Sequence, residues 1–167
     1  MNIPWRITLE KTRHFIQSLT PHFSKTFKAP HLVTGERGEV EAMHYLMREK
    51  YYVVARQWRS PKAPGDLDLI MRGTVPETGE PLLCFVEVKT RSTRNETPAH
   101  AAVDSHKRKT LRRLARHYLT RLDRKDKPAI RFDIISVYLD GEKGSDIEYY
   151  KGAFGWKDRS PYADHWQ

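Results

Sequence analysis

Two short apolar runs, each with a carboxylate set into it, constrain this chain more than any other feature. GDLDLI (65–70) holds Asp68, and FVEVKTR (85–91) holds Glu87 and, two positions on, Lys89. Runs of this length, rich in Val, Ile, Leu and Phe and bounded by Gly and Pro, read as β-strands. Alternate residues of a strand face the same side, so Phe85, Glu87 and Lys89 share one face and Cys84, Val86 and Val88 the other. On the neighbouring strand Asp66, Asp68 and Ile70 share a face. If residues 73–81, with Gly73, Pro76, Gly79 and Pro81, close a hairpin, Asp68 comes to lie beside Glu87. Two carboxylates that close repel one another unless a proton or a cation lies between them. A hard divalent ion such as Mg²⁺ answers this naturally, because it takes oxygen ligands. Lys89 is near enough to temper the charge or orient water. The same residues also satisfy a plainer arrangement, a structural salt bridge from Lys89 to Glu87 or Asp68 at a strand end.

The flanking pattern supplies the architecture. Thr34 can cap a helix running to about Lys50, followed by a strand at 51–59 and a loop at 60–65 punctuated by two prolines and a glycine. Strands at 67–72 and 82–90 follow, the second apolar enough to be central. A long helix spans about 104–122, a fourth strand 130–140, and an edge strand 146–154. Helix, three strands, helix and one or two strands predict an α/β fold with a mixed sheet flanked by two main helices. Residues 1–30 read as an extension in which Ile7, Phe15, Ile16 and Leu19 line one side of a short helix. The domain proper is expected over 31–152. The tail, 153–167, contains Trp156, Tyr162 and Trp166 and either packs on the domain or stays free.

The helices add charged groups on faces where apolar ones are expected. Projected at 100° per residue, Glu39 joins Ala42, Met43 and Leu46 on the apolar face of the first helix, with Glu36 on the flank and Glu41 pointing away. An inward carboxylate needs a partner. It either caps the first turn or faces the Asp68/Glu87 pair. In the second helix, Leu111, Leu114, Ala115, Tyr118 and Leu122 form the apolar stripe. Lys109, Arg112, Arg113 and Arg116 line the opposite face. Lys107 falls on the apolar side, one turn before Leu111, either snorkelling to solvent or reaching toward a phosphate. Trp58 belongs to the core edge or stacks on a base. The histidines show no convincing metal spacing.

Composition narrows the partners. Thirty Lys and Arg outnumber 21 Asp and Glu, a net charge of +9, which favours a polyanionic partner. The single cysteine, Cys84, excludes an intrachain disulfide framework and a cysteine-based zinc site. No stretch approaches the ~18–20 apolar residues of a membrane span. The first thirty residues lack the apolar core of a secretory signal. The expectation is a cytoplasmic protein with no membrane partner.

Taken together, TGERGEVEAMHYL (34–46), GDLDLI, FVEVKTR, AVDSHKRKTLRRLARHYL (102–119) and RFDII (131–135) resemble the PD-(D/E)XK nuclease superfamily. Within it they look like the YraN-like family of uncharacterised, endonuclease-like bacterial proteins. The match covers roughly 31–140 and is similar to archaeal Holliday junction resolvases. The resemblance implies a restriction-endonuclease-like core and a Mg²⁺- or Mn²⁺-dependent endonuclease acting on nucleic acid, with DNA, branched or structured, the favoured substrate. It implies catalytic roles for Glu39, Asp68, Glu87 and Lys89, with Asp68, Glu87, the Val88 carbonyl and Glu39 as metal ligands. Lys107, Arg108, Lys109, Arg112, Arg113 and Arg116 would hold the nucleic-acid backbone. By analogy with branched-DNA nucleases, the assembly would be a homodimer. The family commonly has glutamate where this chain has Asp66, and the N-terminal extension before Thr34 is longer than usual for it. The alternative is a non-catalytic nucleic-acid-binding module on the same fold.

Overall fold

A continuous apolar run between two turns is suited to a strand covered on both faces, and β3 (Pro81–Arg91) takes that place at the centre of a five-stranded sheet. The structure, a computed structural model, describes residues 30–91, 103–122, 128–140 and 144–157. The elements in chain order are α1 (Pro30–Arg48), β1 (Tyr52–Ser60), β2 (Ala63–Thr74), β3, α2 (Ser105–Leu119), β4 (Ala129–Asp140) and β5 (Gly144–Phe154). The strands lie in sequence order. β1, β2 and β3 are antiparallel, β3 and β4 parallel, and β4 and β5 antiparallel. The parallel step needs a crossover, and α2 lies between its two strands in the chain. This is the mixed α/β sheet with two main helices expected from the sequence, consistent with a restriction-endonuclease-like core.

The two helices pack on opposite faces. Ala42 and Leu46 of α1 join Leu82, Cys84, Val86, Ile135 and Val137 in one apolar cluster. Leu111, Leu114 and Ala115 of α2 join Leu83, Phe85, Phe132 and Ile134 in the other. The alternation read from FVEVKTR therefore holds, and Glu87 and Lys89 face the α2 side. β2 departs from it. Leu67 packs with α2 but Leu69 and Met71 pack with α1, so the pleat changes phase at Asp68. Across the β1–β2 ladder, Gln57, between Arg56↔Leu69 and Trp58↔Leu67, takes a left-handed φ of 45°.

Several boundaries differ from the sequence expectation. Thr34 does not cap α1, which begins four residues earlier at Pro30. A proline at the first helical position needs no N–H partner and has its φ already set. At the other end, Lys50 (φ 68°) and Tyr51 donate to Met47 and Leu46 carbonyls, a Schellman closure with lysine where glycine is usual. The 60–65 segment is not all loop, because β2 starts at Ala63 after a tight turn. Pro64 is tolerated there because the β2–β3 ladder begins only at Leu69, leaving that stretch paired to β1 alone. Residues 1–29, including the expected short helix, lie outside the described residues, as do 158–167 of the tail. Trp156, at the start of that tail, packs edge-on against Phe132.

The α1 side of the sheet also buries a charge that sequence pattern did not single out. Asp133 is fully buried and takes four hydrogen bonds. Arg131 gives two (2.7 and 2.9 Å), the Tyr149 hydroxyl one (2.7 Å) and the Gly152 N–H one (2.8 Å). Arg131 also donates to the Tyr51 hydroxyl at 2.8 Å, tying β4 to the start of β1. Burial first, then Asp133, pushes the neighbouring Cys84 thiol up to about 12, leaving it unreactive. Replacing Asp133 by alanine strands Arg131 without its counter-ion. The expected loss is ~3–5 kcal/mol of unfolding free energy, read by urea denaturation, and a loss within error of zero would show the network to be dispensable.

Candidate functional site: a carboxylate pair at the fork between β2 and β3

The cross-strand pairs of β2 and β3 stop at Leu69↔Val86, while β3 continues beside β4 as far as Arg91↔Tyr138. The two strands thus part at Asp68 and Glu87, and the site lies in the fork. Where the ladder ends, the Asp68 carboxylate takes the Val88 N–H at 2.7 Å in place of a backbone carbonyl. Glu87 points to the α2 side with only 2% exposure. Its Oε1 accepts from Lys89 Nζ at 2.8 Å and from Lys107 Nζ at 2.9 Å. Its Oε2 is buried and takes no hydrogen bond from the described residues.

Two close approaches bring the elements together. A Cβ on Gly65 (φ +93°) would stand 3.0 Å from Thr110 Cγ2, so its absence lets β2 lie against α2 three residues before Asp68. A Cβ on Gly38 would collide with Thr90, so glycine there lets α1 sit on the end of β3. The start of α2 is fixed by Asp104, whose side chain accepts from the Lys107 N–H at 2.8 Å. That cap sets the helical phase that turns Lys107 toward Glu87. In the sequence Gly65 reads as ordinary loop punctuation, and Gly38 lies inside a helical motif with nothing to single it out. Asp104 followed by an apolar-periodic stretch is a readable capping signal.

The expected site residues separate into groups. Asp68, Glu87, Lys89 and Lys107 converge. The plainer reading of the lysine is also realised, since Lys89 does form the ion pair with Glu87. Lys107 reaches Glu87 rather than snorkelling to solvent. Glu39 comes from α1, on the opposite face, and hydrogen-bonds Gln57 Nε2 at 3.0 Å. Its link to Asp68 is through space. Among the described residues, no three His, Cys, Asp or Glu side chains stand close enough together to hold a metal ion. The oxygens at the fork are therefore those of Asp68, Glu87 and the β3 main chain at Val88. Asp66 pairs with Arg59 at 3.2 Å on the surface. Glu41 does not simply point away from the domain, because it accepts from Ser145 on β5 at 3.1 Å.

The basic face of α2 is less uniform than its helical projection. Arg112 is 5% exposed, not on the outer face, and its Nε donates to the Gly155 carbonyl at 2.8 Å. Arg108 donates to the Val103 carbonyl at 2.8 Å, and both guanidinium groups lie over the Phe154 ring. A helical wheel cannot show that the end of β5 passes along this flank. Lys109, Arg113 and Arg116 are exposed. Trp58 is a core-edge residue, edge-on to Tyr118 at 5.3 Å.

Electrostatics at the fork are strained. Burial, followed by the charge of Glu87, pushes the Asp68 carboxyl up to about 7, against the pull of its Val88 hydrogen bond and of Lys107. Burial raises Glu39 as well. For Lys107, burial opposes the charged form, but the charge and hydrogen bond of Glu87, with Asp68 and Asp66 behind it, outweigh this and raise its pKa.

The fold and the fork define an α/β domain with two carboxylates and two lysines gathered at the parting of its central strands. Comparison with known sequences gives the family. The model described as "Uncharacterised protein family UPF0102" matches residues 38–137. A UPF0102 protein of Koribacter versatilis is 46% identical over 125 residues, 74% of this chain and 80% of that protein. Relatives from Solibacter usitatus (43% over 120 residues; 72% and 84%) and Methylibium petroleiphilum (35% over 124 residues; 72% and 92%) carry the same description. The chain belongs to the UPF0102, or YraN, family. Its matched span contains every element from most of α1 through most of β4, and hence all of the fork.

The raised Asp68 pKa has a consequence for stability. The folded chain holds a proton on Asp68 that the unfolded chain, with a carboxyl near ~3.9, has released. The stabilisation is thus full below about pH 4 and lost as pH rises through about 7. In EDTA, Asp68→Asn, which cannot ionise, should gain on the wild type between pH 4 and 8 by ~1.4 kcal/mol for each unit of the rise. Urea midpoints at several pH values measure this, and parallel pH profiles would contradict it.

Proposed function

We propose that the chain is a metal-dependent endonuclease that hydrolyses phosphodiester bonds in nucleic acid, with DNA the favoured substrate. The observation that carries this reading is the Glu87 carboxylate. It is buried, with one oxygen that has no donor among the described residues, and lies beside a second carboxylate whose ionisation it opposes. An all-oxygen donor set of this kind, two carboxylates with a main-chain carbonyl, fits Mg²⁺ or Mn²⁺. Asp68 and Glu87, with the Val88 carbonyl, would hold the ion, and Glu39 would contribute through water. When bound, such an ion lowers the pKa of a water and offsets charge on the phosphate.

The protein groups do the remaining work. Asp68 is aimed by the Val88 N–H, which leaves its other oxygen for a ligand. Lys89 and Lys107 both donate to Glu87 Oε1 and answer its buried charge. Lys89, 32% exposed, can turn from Glu87 toward an attacking water or the phosphate oxygens as negative charge develops there. Lys107, on the α2 side, meets the adjacent phosphate. The exposed Lys109, Arg113 and Arg116 add a separate basic track on the outer face of α2, and the net charge of +9 supports the polyanionic partner.

The pairing of Glu87 with two lysines, and the lack of a third nearby carboxylate among the described residues, favour a second reading. In it the chain is a nucleic-acid-binding module whose charges are self-neutralised. Cleavage of single-stranded, duplex and branched DNA with Mg²⁺ or Mn²⁺ separates the two. Asp68→Ala and Lys89→Ala should each lower the rate about 100-fold or more while leaving salt-sensitive binding in place. Equal cleavage by both variants removes this site from the chemistry. Binding with no turnover in either metal selects the binding module.

A further inference from the structure

The far end of α2 carries a feature that the chemistry at the fork does not use. Trp156, two residues past β5, lies with Arg116, Leu119 and Thr120 around a shallow open depression of about 570 Å³. The indole is held in place from beneath. It stands edge-on to Phe132, centroids 4.9 Å apart at 86°, and Phe132 is itself stacked with Phe85 and Phe154. The Arg116 guanidinium lies over the indole ring, 5.4 Å from its centroid. The neighbouring helix face is positive, since α2 contains no acidic residue and Lys109, Arg113 and Arg116 are exposed, as is Lys157 next to Trp156.

A guanidinium lying over a buttressed aromatic ring makes a π-stacked platform, and in a basic surface such a platform accepts a nucleobase by stacking while neighbouring cations meet its phosphates. In a duplex the bases are stacked on one another and turned inward, so only unpaired nucleotides can use such a surface. Lys107 and Arg116 are nine residues apart on α2, about 13.5 Å along its axis, but at 100° per residue they lie on opposite sides of the helix. A strand that met both would pass around α2, a path longer than the axial rise and within reach of a few extended nucleotides.

We propose that the Trp156–Arg116 depression binds an unpaired nucleobase, a few nucleotides along the strand whose phosphodiester lies at Glu87. The second clause rests on the nuclease reading; the first does not. The chain would then select nucleic acid with a single-stranded segment flanking the scissile bond.

The test is binding by the full chain in EDTA, which stops metal-dependent cleavage, of labelled 20-nucleotide oligo-dT, 20-nucleotide oligo-U and a 20-base-pair duplex. Trp156→Ala should weaken one or both single strands about tenfold and the duplex less than twofold. Trp156→Phe should restore most of the affinity. Trp156→Phe also serves should the alanine variant fail to fold, since oligonucleotide-induced quenching of tryptophan emission should largely disappear in it. Loss on oligo-dT alone or oligo-U alone supports the site and identifies the sugar it prefers. Equal weakening of single strands and duplex, no weakening of either, or quenching unchanged in Trp156→Phe overturns the proposal. A failed nuclease reading leaves this readout intact, and a failed platform leaves Asp68-dependent cleavage intact.

Discussion

Glu87 is a carboxylate with almost no exposure, on the central strand of the sheet, and the arrangement around it follows from the need to answer that charge. Lys89 answers it from the same strand and Lys107 from α2. The second contact requires α2 to begin in one place and lie close. The Asp104 cap sets the beginning, and Gly65 permits the approach of β2 to the helix. Parting β2 from β3 at the same level leaves Asp68 to serve as acceptor for the Val88 N–H, which sets it next to Glu87. A single buried charge thus connects the central strand, the crossover helix and the end of the β2–β3 ladder.

The chain buries a second carboxylate, and the contrast between the two is informative. Asp133 has both oxygens saturated by four donors from its own domain, as a structural charge must if it is not to destabilise the fold. Glu87 has one oxygen doubly paired and the other without a donor among the described residues. Burial alone therefore does not distinguish the two acids. What sets Glu87 apart is its unfinished hydrogen bonding among the described residues, together with the neighbouring Asp68, whose proton is held to about pH 7.

Much of this was legible in the sequence. Period-2 alternation placed Glu87 and Lys89 on one face of β3, and the helical projection turned Lys107 inward, because both depend on local geometry alone. What the sequence could not show depends on which elements meet. Glu39 is on the inward face of α1, as projected, but α1 covers the side of the sheet opposite Glu87, so Glu39 bonds Gln57. Arg112 projects outward on a wheel, yet the end of β5 runs beneath it. The phase change at Asp68 breaks the alternation that would have set Asp66, Asp68 and Ile70 on one face. Asp133 was invisible because its partners, Arg131 apart, lie on another strand.

The proposed chemistry depends on a divalent ion binding between Asp68 and Glu87, and calorimetric titration of the full chain with Mn²⁺ near pH 8 measures that most directly. Saturable binding of about one ion per chain in the millimolar range or tighter is expected, abolished by Asp68→Ala and by Glu87→Gln. An absence of binding at millimolar Mn²⁺, or a titration that both variants leave unchanged, would contradict it.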